Sequence, residues 1–211
     1  MMIFWHLLSA LGNSIITMPI ALAIAIWLYV SKERLMALNW CLLLGVSLVL
    51  VVATKIAFIG WGIGIESLDF IGISGHATRG AAVYPVLFYY GLQRAPRKLN
   101  TFPVYCGVVL GILIAISRVM VHAHSISEIV SGWVLGSVVA VTFFAMMKSH
   151  IVLTSRRWLV LCSFSFILIS PVARPFRADG VLTHLALYIS GHQEPYIRGT
   201  WRHSDDEMDS W

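Results

Sequence analysis

The sequence predicts an all-α protein, a polytopic membrane helix bundle of about six transmembrane helices with an N-terminal interfacial segment. Three observations carry this expectation. The 211-residue chain is 58% hydrophobic and only 12% charged, whereas about a quarter of an average soluble domain is charged. The apolar residues come in blocks long enough to cross a hydrocarbon core of about 30 Å. The basic residues fall in short runs between those blocks, as they do in loops that set membrane orientation. The same composition excludes a disordered chain, a coiled coil and a basic nucleic-acid arm, so no nucleic-acid partner is expected.

Each element follows from its own stretch of sequence. Residues 2–13 are too few to span and carry Trp5 and His6, which suits an interfacial segment. Spans are expected at Ser14–Val30, Leu35–Thr54, Gly75–Leu92, Thr101–Val121, Ile126–Met147 and Trp158–Val172. Val181–Ile189 is a further candidate for the interface. No Pro/Gly/Ser-rich linker divides the chain. Residues 1–178 therefore read as one integral membrane domain, and residues 179–211 as an amphipathic segment with an acidic tail.

The net charge of +5 hides two unlike parts. Residues 1–178 hold 13 Lys/Arg against 4 Asp/Glu, and residues 179–211 hold 2 against 6. Lys32 and Arg34, then Arg94, Arg97 and Lys98, then Lys148, Arg156 and Arg157 occupy alternate loops. These loops share one side, expected to be cytoplasmic. The loops near residues 55–74 and 122–125 then face outward.

A charge at membrane depth costs about 2.5–3.5 kcal/mol on insertion scales, so such residues default to functional candidates. Lys55, Arg79, Arg118 and Glu128 qualify, with His76 and His124 beside them. The expected topology brings all six to the outward end. Fixed cations converging there invite an anion, and the phosphate of a lipid headgroup is the natural one. His124 and Glu128 are four residues apart and share a helix face. The carboxylate can accept one imidazole N–H and leave the other nitrogen to attack an electrophile or take a proton. Ser74-Gly75-His76 opens a helix, whose N-terminal amides can hold a phosphate oxygen. His76 beside it could protonate a leaving oxygen. Plainer roles stand alongside. Ser125 and Glu128 form a capping-box pattern, His122 reads as a loop histidine, and Glu66 and Asp69 read as solvated loop acids.

Ser74-Gly75-His76, then Ser117-Arg118, five residues, His124, three residues, Glu128, resembles the type 2 phosphatidic acid phosphatase superfamily. Its pattern has a Lys…Arg-Pro segment, a Pro-Ser-Gly-His segment and a Ser-Arg…His…Asp segment. Here Ile73 replaces the proline, Glu128 replaces the aspartate, and Lys55 is followed by Gly62-Ile63 where Arg-Pro would stand. The resemblance covers about residues 14–147. It implies that His124 attacks phosphorus and forms a phosphohistidine, that Glu128 orients it, and that His76 protonates the leaving alkoxide. It implies that Lys55, Ser74, Gly75 and Arg118 hold the phosphoryl oxygens, with no metal and no cofactor. Arg79, one turn from His76, is a candidate substitute for the missing arginine. The expected substrate is a lipid phosphate such as phosphatidate or a polyprenyl diphosphate. The expected setting is a bacterial inner membrane with the site facing the periplasm or outside. Alternatives are a lipid phosphotransferase on the same site and a non-catalytic lipid-binding or transport protein.

Overall fold

A computed structural model of the chain describes residues 2–91, 101–147 and 178–199. Its helices are α1 (Met2–Leu11), α2 (Ser14–Val30), α3 (Arg34–Trp61), α4 (Gly75–Gly91), α5 (Phe102–Met120), α6 (Ile126–Met146) and α7 (Ala178–Ser190), with a 3-10 turn at Glu66–Leu68. The expected span Trp158–Val172, the basic loops at 94–98 and 148–157, and the acidic tail lie outside the described residues. The protein is an all-α bundle. Among the described residues, four apolar helical stretches are long enough to cross a membrane: Met2–Val30, Arg34–Trp61, Phe102–Met120 and Ile126–Met146.

The helices that face outward from the bundle do so with large apolar side chains. On α6, Ile126, Val130, Val134, Val138 and Val141 are exposed, while Ile129, Gly132, Gly136, Val139 and Phe143 are buried. The exposed set repeats every three or four residues and forms one stripe. On α3, Leu35, Leu38, Leu42, Val46 and Val49 make an equivalent stripe, opposite Met36, Trp40, Leu44, Ser47 and Val51. Apolar surface of this extent belongs in lipid rather than water. Trp40 ties α3 to α2 by donating Nε1–H to the Ala21 carbonyl at 2.9 Å.

Helix α4 is the centre of the bundle. At 17 residues it is the shortest of the helices read as spans, together with α2. Most of its residues are buried, including Ala77, Ala81, Ala82, Val83 and Val86. Two neighbours reach it through pairs of glycines spaced four apart. Gly107 and Gly111 of α5 lie against the backbone of Pro85 and Gly80, and Gly132 and Gly136 of α6 against the carbonyls of Ser74 and Thr78. Between membrane helices, small residues let backbones approach where no hydrophobic drive exists. A methyl group at Gly136 would overlap the Thr78 carbonyl oxygen, whereas Gly45 on α3 has nothing within 4 Å. Gly136→Ala should therefore destabilise the fold by about 1–3 kcal/mol through overpacking. Gly45→Ala should leave stability unchanged or slightly raised. Thermal unfolding midpoints of the two variants in detergent check this; equal midpoints would refute the close approach.

One element departs from the sequence expectation: α3 runs seven residues past Thr54 to Trp61 and ends at Gly62, whose φ of 69° is left-handed. The charge on Lys55 suggested an end, but the apolar run after it continues the helix. At 1.5 Å per residue the 28-residue helix is about 42 Å long, longer than a hydrocarbon core of about 30 Å. Its last turns can therefore project past the membrane, and Lys55 lies within the helix. Helix α7, which contains the interfacial candidate Val181–Ile189, packs along α3. Gly60 lies close to Ser190 and Ala186; a Cβ there would come 3.2 Å from Ser190 Cβ and 3.3 Å from the Ala186 carbonyl oxygen.

The N-terminal segment is helical and lies on α5, while Met2, Ile3, Phe4 and Leu7 remain exposed on its other side. Asn13 separates it from α2, capping that helix by accepting the Ile15 N–H at 3.2 Å.

Candidate active site

The loop after α3 and the loop between α5 and α6 meet at one end of the bundle. Ser127 Oγ donates to the Leu68 carbonyl at 2.7 Å, and the Ser74 N–H donates to the Glu128 carbonyl at 3.0 Å. Lys32 sits in the α2–α3 connection and Arg34 opens α3, at the other end of that helix.

Glu128 is the organising residue. It is fully buried in the first turn of α6. Oε2 lies 2.6 Å from His124 Nδ1 and accepts the Ser125 N–H at 3.2 Å. Oε1 accepts the Ile71 N–H at 3.0 Å and a hydrogen bond from Arg198 Nη2 at 2.6 Å. An ionised carboxylate only accepts, so Nδ1 of His124 carries the proton, and in a neutral imidazole that leaves Nε2 with the lone pair. The Ser125 side chain in turn accepts the Glu128 N–H. Glu128 thus completes a capping box and holds His124 at the same time.

The ring of His124 lines a cavity of about 220 Å³. Lys55, Thr183, Phe58, Ile59, Ile71 and Leu182 stand around the same space. One cation and one imidazole therefore face a mainly aliphatic wall, part of which α7 supplies.

The other cations lie under the α1–α2 corner. His76 packs against Gly12, where an added Cβ would come 3.1 Å from the His76 Cβ. Arg118 Nη1 donates to Ser9 Oγ at 2.7 Å, and Arg79 Nη2 donates to the Gly12 carbonyl at 3.2 Å. Arg118, Arg79, His124 and Lys55 all bear electrostatically on His76.

Arg79 turns back over the start of its own helix. A Cβ on Gly75 would lie 2.9 Å from Arg79 Nη1, so the absence of a side chain there admits the guanidinium. Ser74 is fully buried, and its hydroxyl has no partner among the described residues. Its N–H is occupied by the Glu128 carbonyl. That amide is not available to a phosphate oxygen, which corrects the expectation for this one donor of the helix start.

All eight candidates thus sit at one end of the bundle, with Lys55 and His124 on the cavity and the rest near Glu128 or His76. His122 is exposed in the loop with φ 54°, away from any such partner. Three participants were not legible in the sequence. Ser9 is a small polar residue in an apolar run. Asp69, expected to be a solvated loop acid, pairs with Arg198 Nη1 at 2.8 Å. Arg198 itself lies in a segment whose other charges are mostly acidic, and only its sign against that background marks it out.

A family model described as the PAP2 superfamily matches residues 55–151. A Klebsiella pneumoniae protein described as an uncharacterized 22.5 kDa protein in cps region is 39% identical over 145 residues, covering 68% of this chain and 69% of that protein. No solved structure matches.

Proposed function

The chain belongs to the PAP2 superfamily, whose activity is of the phosphatase type, and on that premise we propose that it hydrolyses the phosphate of a lipid through a phosphohistidine on His124. The observation that carries the proposal is the 2.6 Å contact between His124 Nδ1 and the buried Glu128 carboxylate. It fixes the tautomer in which Nε2 can act as a nucleophile.

In the first step Nε2 forms a bond to phosphorus as the bond from phosphorus to the lipid oxygen breaks. His76 supplies a proton to that oxygen, having gained it once the phosphate charge offsets the surrounding cations. Lys55, Arg118 and Arg79 stabilise the non-bridging oxygens, with the Ser74 hydroxyl and the start of α4 at Gly75 as further donors. Arg79 takes the place of the arginine missing after Lys55. In the second step His76, now without that proton, takes one from water as the water oxygen bonds to phosphorus; the P–N bond breaks with its electron pair returning to Nε2, and inorganic phosphate leaves. Neither step calls for a metal or another cofactor.

A lipid substrate is supported by the cavity. Its volume of about 220 Å³ is below the roughly 300–1,000 Å³ of pockets that enclose a whole small ligand. A phosphate and the first carbons of a chain fit it, and the rest of the chain stays in the bilayer. Phosphatidate and polyprenyl diphosphate both meet that description. Lys32 and Arg34 lie at the opposite end of α3 from the site, which favours an outward-facing site in a bacterial inner membrane.

The test is phosphate release by the full chain in micelles from phosphatidate, a polyprenyl diphosphate and p-nitrophenyl phosphate, each with EDTA. At least one lipid should be hydrolysed, undiminished by EDTA and faster than the soluble ester. Label appearing on an acceptor lipid instead of in free phosphate would make the protein a phosphotransferase. No turnover of any lipid would overturn the proposal.

A further inference from the structure

The segment after α7 is pinned to the outward end of α3 at successive points. His192 Nδ1 lies 2.7 Å from the Gly60 carbonyl oxygen, and the Tyr196 N–H donates to the Ile59 carbonyl at 3.0 Å. The Tyr196 ring covers Gly62, where a Cβ would come 2.9 Å from it. Two residues further on, Arg198 reaches two carboxylates at once: Nη1 is 2.8 Å from Asp69 Oδ2, and Nη2 is 2.6 Å from Glu128 Oε1. The planar guanidinium suits such a fork, with its donors fixed relative to one another.

We propose that Arg198 is a positioning residue for the reaction, holding the Glu128 carboxylate in the orientation that His124 requires. It touches neither the cavity nor the candidate nucleophile and acts through Glu128. The two oxygens of that carboxylate divide the work. Oε2 faces His124 and the Ser125 amide, and Oε1 faces the Ile71 amide and Arg198. Rotation about the carboxylate axis would break contacts on both sides, so the contact at Oε1 fixes the direction of Oε2. Asp69, in the loop between α3 and α4, anchors the guanidinium from outside. The C-terminal segment thereby serves the site twice: α7 walls the cavity with Leu182 and Thr183, and Arg198 sets the acid.

The proposal rests on the phosphatase assignment for its kinetic arm only. With the best lipid substrate, Arg198→Ala should lower kcat by roughly 10–100-fold through misplacement of the catalytic pair, with KM nearly unchanged. In the Glu128→Gln background the same substitution should have little further effect, because the group it positions is already disabled. Arg198→Lys, which keeps one charge but cannot span both carboxylates, should restore part of kcat. Losses that multiply in the double variant would overturn the proposal and leave Arg198 only a role in holding the segment.

A second arm needs no turnover. In protein labelled with 15N-histidine, the His124 Nδ1–H resonance is assigned by its absence from His124→Asn. It should lie downfield in wild type and move in Arg198→Ala, or in Arg198→Lys if the alanine variant does not fold. An unmoved resonance would overturn the proposal. If wild type hydrolyses no lipid phosphate, the phosphatase assignment fails while this measurement still decides whether Arg198 positions the pair.

Discussion

His124→Asn is expected to release phosphate from the lipid substrate on the order of 10⁴–10⁶-fold more slowly than wild type, the scale on which loss of a nucleophile or its activating base acts. The substitution is chosen for what it keeps. The asparagine amide can occupy much the same place as Nδ1–H and still donate to Glu128 Oε2, the contact that spans 2.6 Å in the native protein. The capping box at the start of α6 then persists. What disappears is Nε2. Quenching wild type in alkaline detergent during turnover of ³²P-labelled lipid phosphate should leave alkali-stable, acid-labile label on the protein, mapping to the peptide that contains His124. The asparagine variant should carry none. Loss of turnover alone would not distinguish a nucleophile from a base that activates water. A wild-type enzyme that turns over rapidly yet never carries label would exclude the covalent step, whatever the variant does.

The sequence was most informative where one physical rule dominated. The apolar blocks located α2, α4, α5 and α6 to within a residue or two, because crossing a bilayer demands helices of about that length. The site was legible to the extent that charge is costly near a membrane. Lys55, Arg79, Arg118 and Glu128 were conspicuous for that reason, and alternation of the basic loops placed them at one end. The same rule misjudged the end of α3, since Lys55 looked like a boundary when the helix runs on to Trp61. It also gave no information where charge is ordinary. Asp69 and Arg198 lie in segments that read as solvated, and their pairing joins positions 129 residues apart. Ser9 accepts from Arg118 across 109 residues. Contacts of that separation depend on how α1 and α7 fold back over the bundle, and neither helix carries a periodic signal that specifies its docking partner. The glycine pairs of α5 and α6 were visible as residues, but what they approach follows from α4 lying at the centre.

Glu128→Gln is expected to reduce kcat by about 10²–10⁴-fold, comparable to the loss when a histidine's orienting acid becomes an amide elsewhere. The four hydrogen bonds to the carboxylate give the reason. His124 Nδ1, the Ser125 N–H, the Ile71 N–H and Arg198 Nη2 are all donors directed at two oxygens. An amide offers one oxygen and one NH₂ group. If the oxygen faces His124 and Ser125, the NH₂ meets the Ile71 amide and the guanidinium, donor against donor in a buried site. If the NH₂ faces His124, it conflicts with Ser125 and forces the ring to accept at Nδ1. The proton then moves to Nε2, which can no longer attack phosphorus. Both orientations also leave buried donors unsatisfied, at about 1–3 kcal/mol each, so the unfolding midpoint should fall together with kcat. Glu128→Asp separates charge from reach. It keeps the acceptor character but retracts the carboxylate by one methylene, so the contacts to Ile71 and Arg198 lengthen. Its turnover should fall between wild type and the glutamine variant. If Glu128→Gln turned over at the wild-type rate, Glu128 would be left with only its capping role, and His124 would need another source of orientation.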